Sequence, residues 1–172
     1  QDIAERKRIT DALRESEARF RSYFELPLIG IAVTSLEKGW LEVNPRLCEI
    51  FGYSRDELVC LTWSDITHPD DLAVDVAEFG RVLRGEIEGY SLDKRFIRKN
   101  GQFFHTSISV RCVRKPDGSA DYFVAAVEDI SERKATQAEL DIYRHHLEQL
   151  VETRTDELTM AKEAAESASR AK

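Results

Sequence analysis

Glycine and proline are scarce, eight and four among 172 residues, and neither occurs before Pro27 or after Gly118. Long stretches without the two residues that break helices predict uninterrupted helices at both ends. Cysteine is scarce as well. Cys48, Cys60 and Cys112 are odd in number, far apart and form no CxxC pair, which excludes a disulfide framework and a structural zinc site. They read as core or half-buried thiols of a reducing cytoplasm. No apolar run approaches the roughly 18–20 residues of a membrane-spanning helix, and the opening QDIAERKRIT has no signal-peptide core. A soluble, cytoplasmic segment is expected, with room for a membrane anchor elsewhere in a longer parent.

Basic charge is in deficit, 25 Lys and Arg against 32 Asp and Glu, for a net charge of −7. That balance argues against nucleic acid or an anionic membrane as the main partner. Catalytic signatures are missing too: there is no phosphate-binding loop, no GxSxG and no HExxH, and GRVLRGE lacks the glycine spacing of a dinucleotide site. His68 beside Asp70 and Asp71 in THPDD reads as helix-start chemistry, carboxylates in a first turn, rather than as a metal site. The segment is expected to be non-catalytic.

What is present sorts into three zones. A hydrophobic content of 42% is sufficient for one core, and a domain of about 110 residues buries roughly two thirds of its unfolded surface. The first zone, DIAERKRITDALRESEARFRSYF, carries Ile9, Leu13, Phe20 and Phe24 on one helical stripe, with Ser16 in the same row. The last zone, from about Ser131, opens with Ser131 as a helix cap and Glu132 in the first turn. Its Leu140, Tyr143, Leu147 and Leu150 fit a heptad seam. The stripe then continues as Val151, Arg154, Leu158, Ala161, Ala165 and Ala168, which inserts a four-residue stutter after Leu147. A helix of about forty residues with so narrow a stripe needs a partner, most simply its own copy in a parallel dimer.

The middle zone alternates strand and helix signals. IGIAVTS and WLEVNP read as strands joined by a turn at Glu37-Lys38-Gly39. SRDE at Ser54–Glu57 is a capping box, and Pro69 sits where a helix should begin. That helix places Leu72, Val76, Phe79 and Leu83 on one face and ends near Gly85. Asn100-Gly101 marks a hairpin. A three-residue loop, Lys99-Asn100-Gly101, pairs Phe96 with Phe104, Leu92 with Ile108 and Tyr90 with Val110. A two-residue loop would oppose apolar and polar residues throughout, so the longer loop is expected. The last strand, DYFVAAVEDIS, is apolar on both faces, which predicts a sheet covered on both sides. Short helices cover one face, and ARFRSYF or a partner subunit covers the other. The order gives an α+β domain with a five-stranded antiparallel sheet.

WLEVNP, FGYSRDEL, HPDD, RFIRKNG and the closing EDISERK together resemble a PAS domain over roughly Arg19 to Lys134. On this likeness residues 1–22 are a linker helix, residues 23–131 the PAS domain, and residues 132–172 a coiled-coil signalling helix. DIS at Asp129–Ser131 resembles the phrase that closes many PAS domains and starts the helix leaving them. DIAERK at Asp2–Lys7 nearly repeats DISERK at Asp129–Lys134, so it resembles the exit of a preceding PAS-like module. The terminal segment resembles the linker that leads into the kinase core of sensor histidine kinases of two-component systems. HHLEQL, with His145 and His146, does not match the phosphoacceptor motif of those kinases. A diguanylate cyclase output and a ligand-free structural dimerisation module are the alternatives.

The likeness also directs attention to the cavity between sheet and helices. SDITHPDDL has no cysteine of the light-sensing flavin type, DLAVDVAEFGRVLRGE no histidine for haem, and the later strands no tryptophan of the redox-flavin type. These absences count most against haem; a non-covalent flavin or a small metabolite stays open. Tyr90, Leu92, Phe96, Phe104, Ile108 and Val110 form an apolar face interrupted by Lys94 and Thr106. Either a small polar ligand meets that spot, or Lys94 reaches out to solvent at the rim. Asn44 either faces the same cavity or caps the helix after Pro45. For signal transfer the candidates are Asp129, Ile130, Ser131 and Arg133, with Asp129 accepting from the first helical amides and Arg133 pairing with it.

Overall fold

The computed structural model describes residues 2–170; residues 1, 171 and 172 lie outside it. It divides into two units, Gln1–Ser131 and Glu132–Lys172. In the first, helix α1 (Asp2–Phe24) precedes strands β1 (Gly30–Thr34) and β2 (Trp40–Val43). Helices α2 (Pro45–Phe51), α3 (Arg55–Val59) and α4 (Pro69–Leu83) follow, and then strands β3 (Gly89–Ile97), β4 (Phe103–Arg114) and β5 (Ala120–Asp129). The strands form one antiparallel sheet in the order β2-β1-β5-β4-β3. β1 thus lies beside the last strand, with β2 at the sheet edge, and α2 to α4 fill the crossover between β2 and β3.

Local chemistry explains where these elements begin and end. The β1–β2 turn is closed by the Ser35 hydroxyl, which accepts from the Glu37 and Gly39 amides, while Lys38 takes a left-handed φ of 72°. Ser54 and Glu57 form the expected reciprocal capping box of α3. Pro69 occupies the first turn of α4, where its missing N–H costs nothing, and His68 Nδ1 accepts from the Asp70 amide. Gly101, at φ 83°, closes the β3–β4 hairpin. Phe96 pairs with Phe104, Leu92 with Ile108 and Tyr90 with Val110, the register of the three-residue loop.

One sheet face and the short helices enclose the core, built around Leu47, Phe51, Leu58, Phe79, Phe96, Phe104 and Phe123. Two expectations require correction. The buried side chains of α4 are Asp75, Phe79 and Val82, with Leu72 and Val76 half-buried and Leu83 exposed. Positions 75, 79 and 82 satisfy a helical repeat as well as the expected set, but a carboxylate at the first of them disguised the face. The ARFRSYF segment does not close over the outer sheet face either. Phe20 and Tyr23 remain 55% and 61% exposed. Tyr122, Val124 and Ala126 are half-buried there beside Val113, Val33 and Ile31 of neighbouring strands.

The second unit is helix α5 from its second residue onward; α5 runs Ser131–Arg170, a 40-residue helix with no buried side chain. No helix among the described residues is long and apolar enough to cross a membrane.

Candidate functional site

The polar interruption of the core is met from inside the chain. Asp75, on α4, is 1% exposed and faces Lys94 of β3, whose side chain is 2% exposed; the two form a buried ion pair. The Lys94 ammonium also donates to Thr67 Oγ1 at 3.0 Å and lies 3.8 Å from the Phe96 ring centre, an arrangement that favours a cation. Tyr90 donates its hydroxyl to the other Asp75 oxygen at 2.7 Å. Thr106 donates to the Lys94 carbonyl at 2.9 Å. Lys94 therefore neither snorkels to solvent nor waits for an anionic ligand, because Asp75 supplies the charge. Burial pulls the Lys94 ammonium down to about 8, with Asp75 opposing that shift. Burial, and then the Asp75 charge, push the Tyr90 phenol up, so it stays a donor.

These groups border a cavity of about 30 Å³ lined by Thr34, Trp40, Trp63, Asp75, Tyr90 and Lys94, with Phe96 and Ile108 beside them. That is room for one water-sized occupant. Trp63 packs edge-on against Phe79 at 5.2 Å, and Phe79 against Phe123 at 4.5 Å, so neither a flavin ring nor a haem fits the core as packed. Trp40 Nε1 is buried without a hydrogen-bond partner, and its indole lines this cavity; a small acceptor would satisfy it. Phe104 lies away from the cavity, 5.4 Å from Phe51.

Four residues beyond Lys94, just past the end of β3, a second cation organises the exit corner. Arg98 donates from Nη1 to the Ile50 carbonyl at the end of α2 and from Nη2 to Asp129. Its guanidinium lies 3.9 Å from the Phe104 ring centre. The other Asp129 oxygen accepts from the Ser131 amide at 3.0 Å. Burial works to raise the Asp129 carboxyl, but the Ser131 and Arg98 hydrogen bonds prevail and hold it below its ordinary value. Ile130 is 2% exposed, and its amide donates to the His105 carbonyl. Two expected roles change. The partner of Asp129 is Arg98, brought close by the fold, rather than the sequence neighbour Arg133, which is exposed on α5. Asp129 accepts the first helical amide as expected, but Ser131, expected as the cap, is itself the first residue of the helix, and its hydroxyl accepts from the His105 amide at 3.0 Å.

Residues 41–127 match the family model of the PAS fold. The chain belongs to the PAS family. Among curated proteins it is 41% identical to the probable diguanylate cyclase DgcE of Escherichia coli over 134 residues, 78% of this chain and 12% of that protein. It is 27% identical to the sensor histidine kinase TmoS of Ectopseudomonas mendocina over 144 residues, 84% of this chain and 15% of that protein. The chain thus spans a small fraction of either relative. Among solved structures it resembles a domain of a sensory box sensor histidine kinase/response regulator from Geobacter sulfurreducens. That match has 26% identity and a TM-score of 0.57, covering 68% of this chain and 96% of that one. A PAS domain from Colwellia psychrerythraea, at 15% identity and a TM-score of 0.61 over 67% of this chain and 97% of that one, shares the fold.

Within the PAS fold Asn44 has a structural post. Its Oδ1 accepts from the Ile31 and Leu47 amides, and its Nδ2 donates to the Phe24 and Ile29 carbonyls, at 2.8 to 2.9 Å throughout. All its capacity is used, so it clasps the end of α1 to β1 and α2 and contributes nothing to a ligand pocket. Sequence reasoning missed Asp75 and Arg98. The signal for Asp75 was a lone carboxylate on the apolar stripe of α4, opposite an equally isolated Lys94. For Arg98 there was none, because its partners lie far away in sequence. The α5 seam residues Leu140, Tyr143, Leu147, Leu150, Val151 and Leu158 are all exposed.

Proposed function

We propose that this PAS sensory module relays a conformational change from its core, through the Asp129-Ile130-Ser131 corner, into a parallel dimer formed by α5. The observation that carries the proposal is the double engagement of Asp129. One oxygen is held by Arg98, which also grips the end of α2, and the other holds the first amide of α5. A shift of β3 or α2 must therefore either move the exit helix or break a partly buried charge pair. The apolar stripe of α5 has no cover within its own unit, and a second copy is its simplest partner. The stutter after Leu147 gives that coil two packings of similar energy to move between.

The segment itself is non-catalytic on this view. It operates in the cytoplasm between a preceding PAS-like module, whose exit is DIAERK, and the output part of its parent. The output is taken to be a histidine kinase core, supported by the likeness to a kinase relative and to a kinase-derived structure. A second reading, a diguanylate cyclase output, is favoured by the 41% identity to a probable cyclase; the relay is the same in both. The test is Asp129→Ala in the parent protein, with output activity measured with and without stimulus. Loss of response in a folded protein is expected, and an unchanged response would count against the corner as the relay.

A further inference from the structure

The buried amine of Lys94 stands in the wall of a space that the surrounding side chains leave unfilled. That cavity, about 30 Å³, is bounded by Lys94, Asp75, Tyr90, Trp40 and Thr34 among others. Every element packed against Lys94 presents a group to it or to its partners. Asp75 of α4 pairs with the ammonium, and Thr67, ahead of α4, accepts from it. Tyr90 of β3 donates to the far oxygen of Asp75, and Thr106 of β4 donates to the Lys94 carbonyl. Asp71 adds a further negative charge. The Trp40 indole N–H, in contrast, is buried without an acceptor, which is a cost to the fold that an acceptor in the core would remove. An amine, a carboxylate in contact with it, an unmet donor and a space of a few atoms are thus gathered in one place.

We infer that Lys94 is a site of reversible carbamate formation with dissolved carbon dioxide. The lone pair of the neutral amine attacks the carbon and a C–N bond forms. One C–O π bond gives its electron pair to oxygen, and the N–H proton passes to Asp75 Oδ2, the oxygen already paired with Nζ. The negative charge moves from Asp75 to the carbamate, so the buried site keeps the same net charge and no further reactant is needed. Burial supplies the neutral amine, because it draws Lys94 down to about 8 against an ordinary 10.5. The product adds one carbon and two oxygens to Nζ, and those oxygens offer Trp40 the acceptor it lacks. Tyr90 goes on donating to the other Asp75 oxygen. Other small reactants suit the site less well. An aldehyde would lose its oxygen as water and leave an imine with nothing for Trp40. A preformed anion would have to shed its hydration to reach a buried carboxylate, whereas carbon dioxide enters uncharged. Carbamate formation abolishes the ion pair between α4 and β3, and so makes dissolved carbon dioxide an input to the core; only this last step rests on the relay proposed above.

Carbon NMR of the whole chain in isotope-labelled bicarbonate, held at a constant level of dissolved carbon dioxide, tests the site. The comparison is with the double variant Asp75→Leu, Lys94→Met. Surface amines give carbamate signal in both proteins, so a carbamate resonance present only in the parent chain belongs to Lys94. Lys94→Arg keeps a charge opposite Asp75 but has no amine to react, and it replaces the double variant should circular dichroism show that variant unfolded. The Lys94 resonance should grow about tenfold from pH 6 to pH 7 and level off above about pH 8, since only the neutral amine reacts. Trp40→Phe removes one hydrogen bond to an ionised group and should weaken the resonance about tenfold. Identical carbamate spectra for the parent and the variant lacking Lys94 above pH 8, or undiminished intensity in Trp40→Phe, would overturn the site. The readout is the modification itself, so its absence leaves the Asp129 relay standing, and a failed relay leaves the carbamate standing.

Discussion

Removing one member of the Asp75–Lys94 pair should be far more damaging than removing both. In Asp75→Asn the Lys94 side chain stays 2% exposed and loses its counter-charge, keeping the Thr67 hydroxyl and the Phe96 and Trp63 ring faces. In Lys94→Met the Asp75 carboxylate keeps only the Tyr90 hydroxyl. Each single change leaves a buried charge without its counter-charge and should lower unfolding stability by about 3–5 kcal/mol. The double change Asp75→Leu with Lys94→Met removes both charges and fills the space with apolar atoms. It should fall within about 2 kcal/mol of the parent chain, since a buried ion pair barely offsets its own desolvation. Urea unfolding monitored by Trp40 and Trp63 fluorescence measures all the terms. Raising the pH adds an independent check. Lys94 titrates at about 8 in the folded chain against an ordinary 10.5, so above pH 8 the unfolded state binds more protons and stability rises with pH. In Asp75→Asn the ammonium is lost more readily, so the rise should begin below pH 8, at about 1.4 kcal/mol per pH unit. Single changes below about 1 kcal/mol, or a double change equal to their sum, would refute the buried pair.

Three further outcomes follow from the same geometry. Asn44→Asp keeps the acceptor but turns a charged oxygen toward the Phe24 and Ile29 carbonyls, and should destabilise the chain by about 2–3 kcal/mol in thermal or urea unfolding. Arg98→Ala frees Asp129 and the Ile50 carbonyl; a loss of about 1–3 kcal/mol is expected, with output in the parent protein no longer following input. Asp71 is held at about 2, against an ordinary 3.8, chiefly by hydrogen bonds from the Arg95 side chain. The stability it contributes is present above pH 4 and is lost as pH falls toward 2. In Asp71→Asn, which also loses the Arg95 contacts, that part of the acid transition, on the order of 1–2 kcal/mol, should disappear.

The parts of the fold legible in the sequence were those fixed by local chemistry. The capping box at Ser54, Pro69 at the head of α4 and the Gly101 turn each involve residues within a few positions of one another. The β3–β4 register followed because a one-residue slip would have set Phe96 opposite His105 and Leu92 opposite Ser109, apolar against polar. The candidate site was only half legible. Lys94 and Thr106 were visible as polar residues on an apolar face, but Asp75 lies nineteen positions from Lys94, and no local rule links them. Arg98 and Asp129 are separated by thirty-one positions, so proximity along the chain pointed to Arg133 instead. Asn44 shows the reverse case: a cap was foreseen for α2, but not its grip on the end of α1.

Sedimentation equilibrium of the whole chain at high micromolar concentration tests the dimeric relay most directly, in parallel with a Leu147→Glu, Leu150→Glu variant. The expected result is a particle of twice the chain mass that the paired substitutions reduce to the single-chain mass while the PAS core stays folded. A parent chain that sediments as a single copy throughout, with α5 unfolded by circular dichroism, would contradict it.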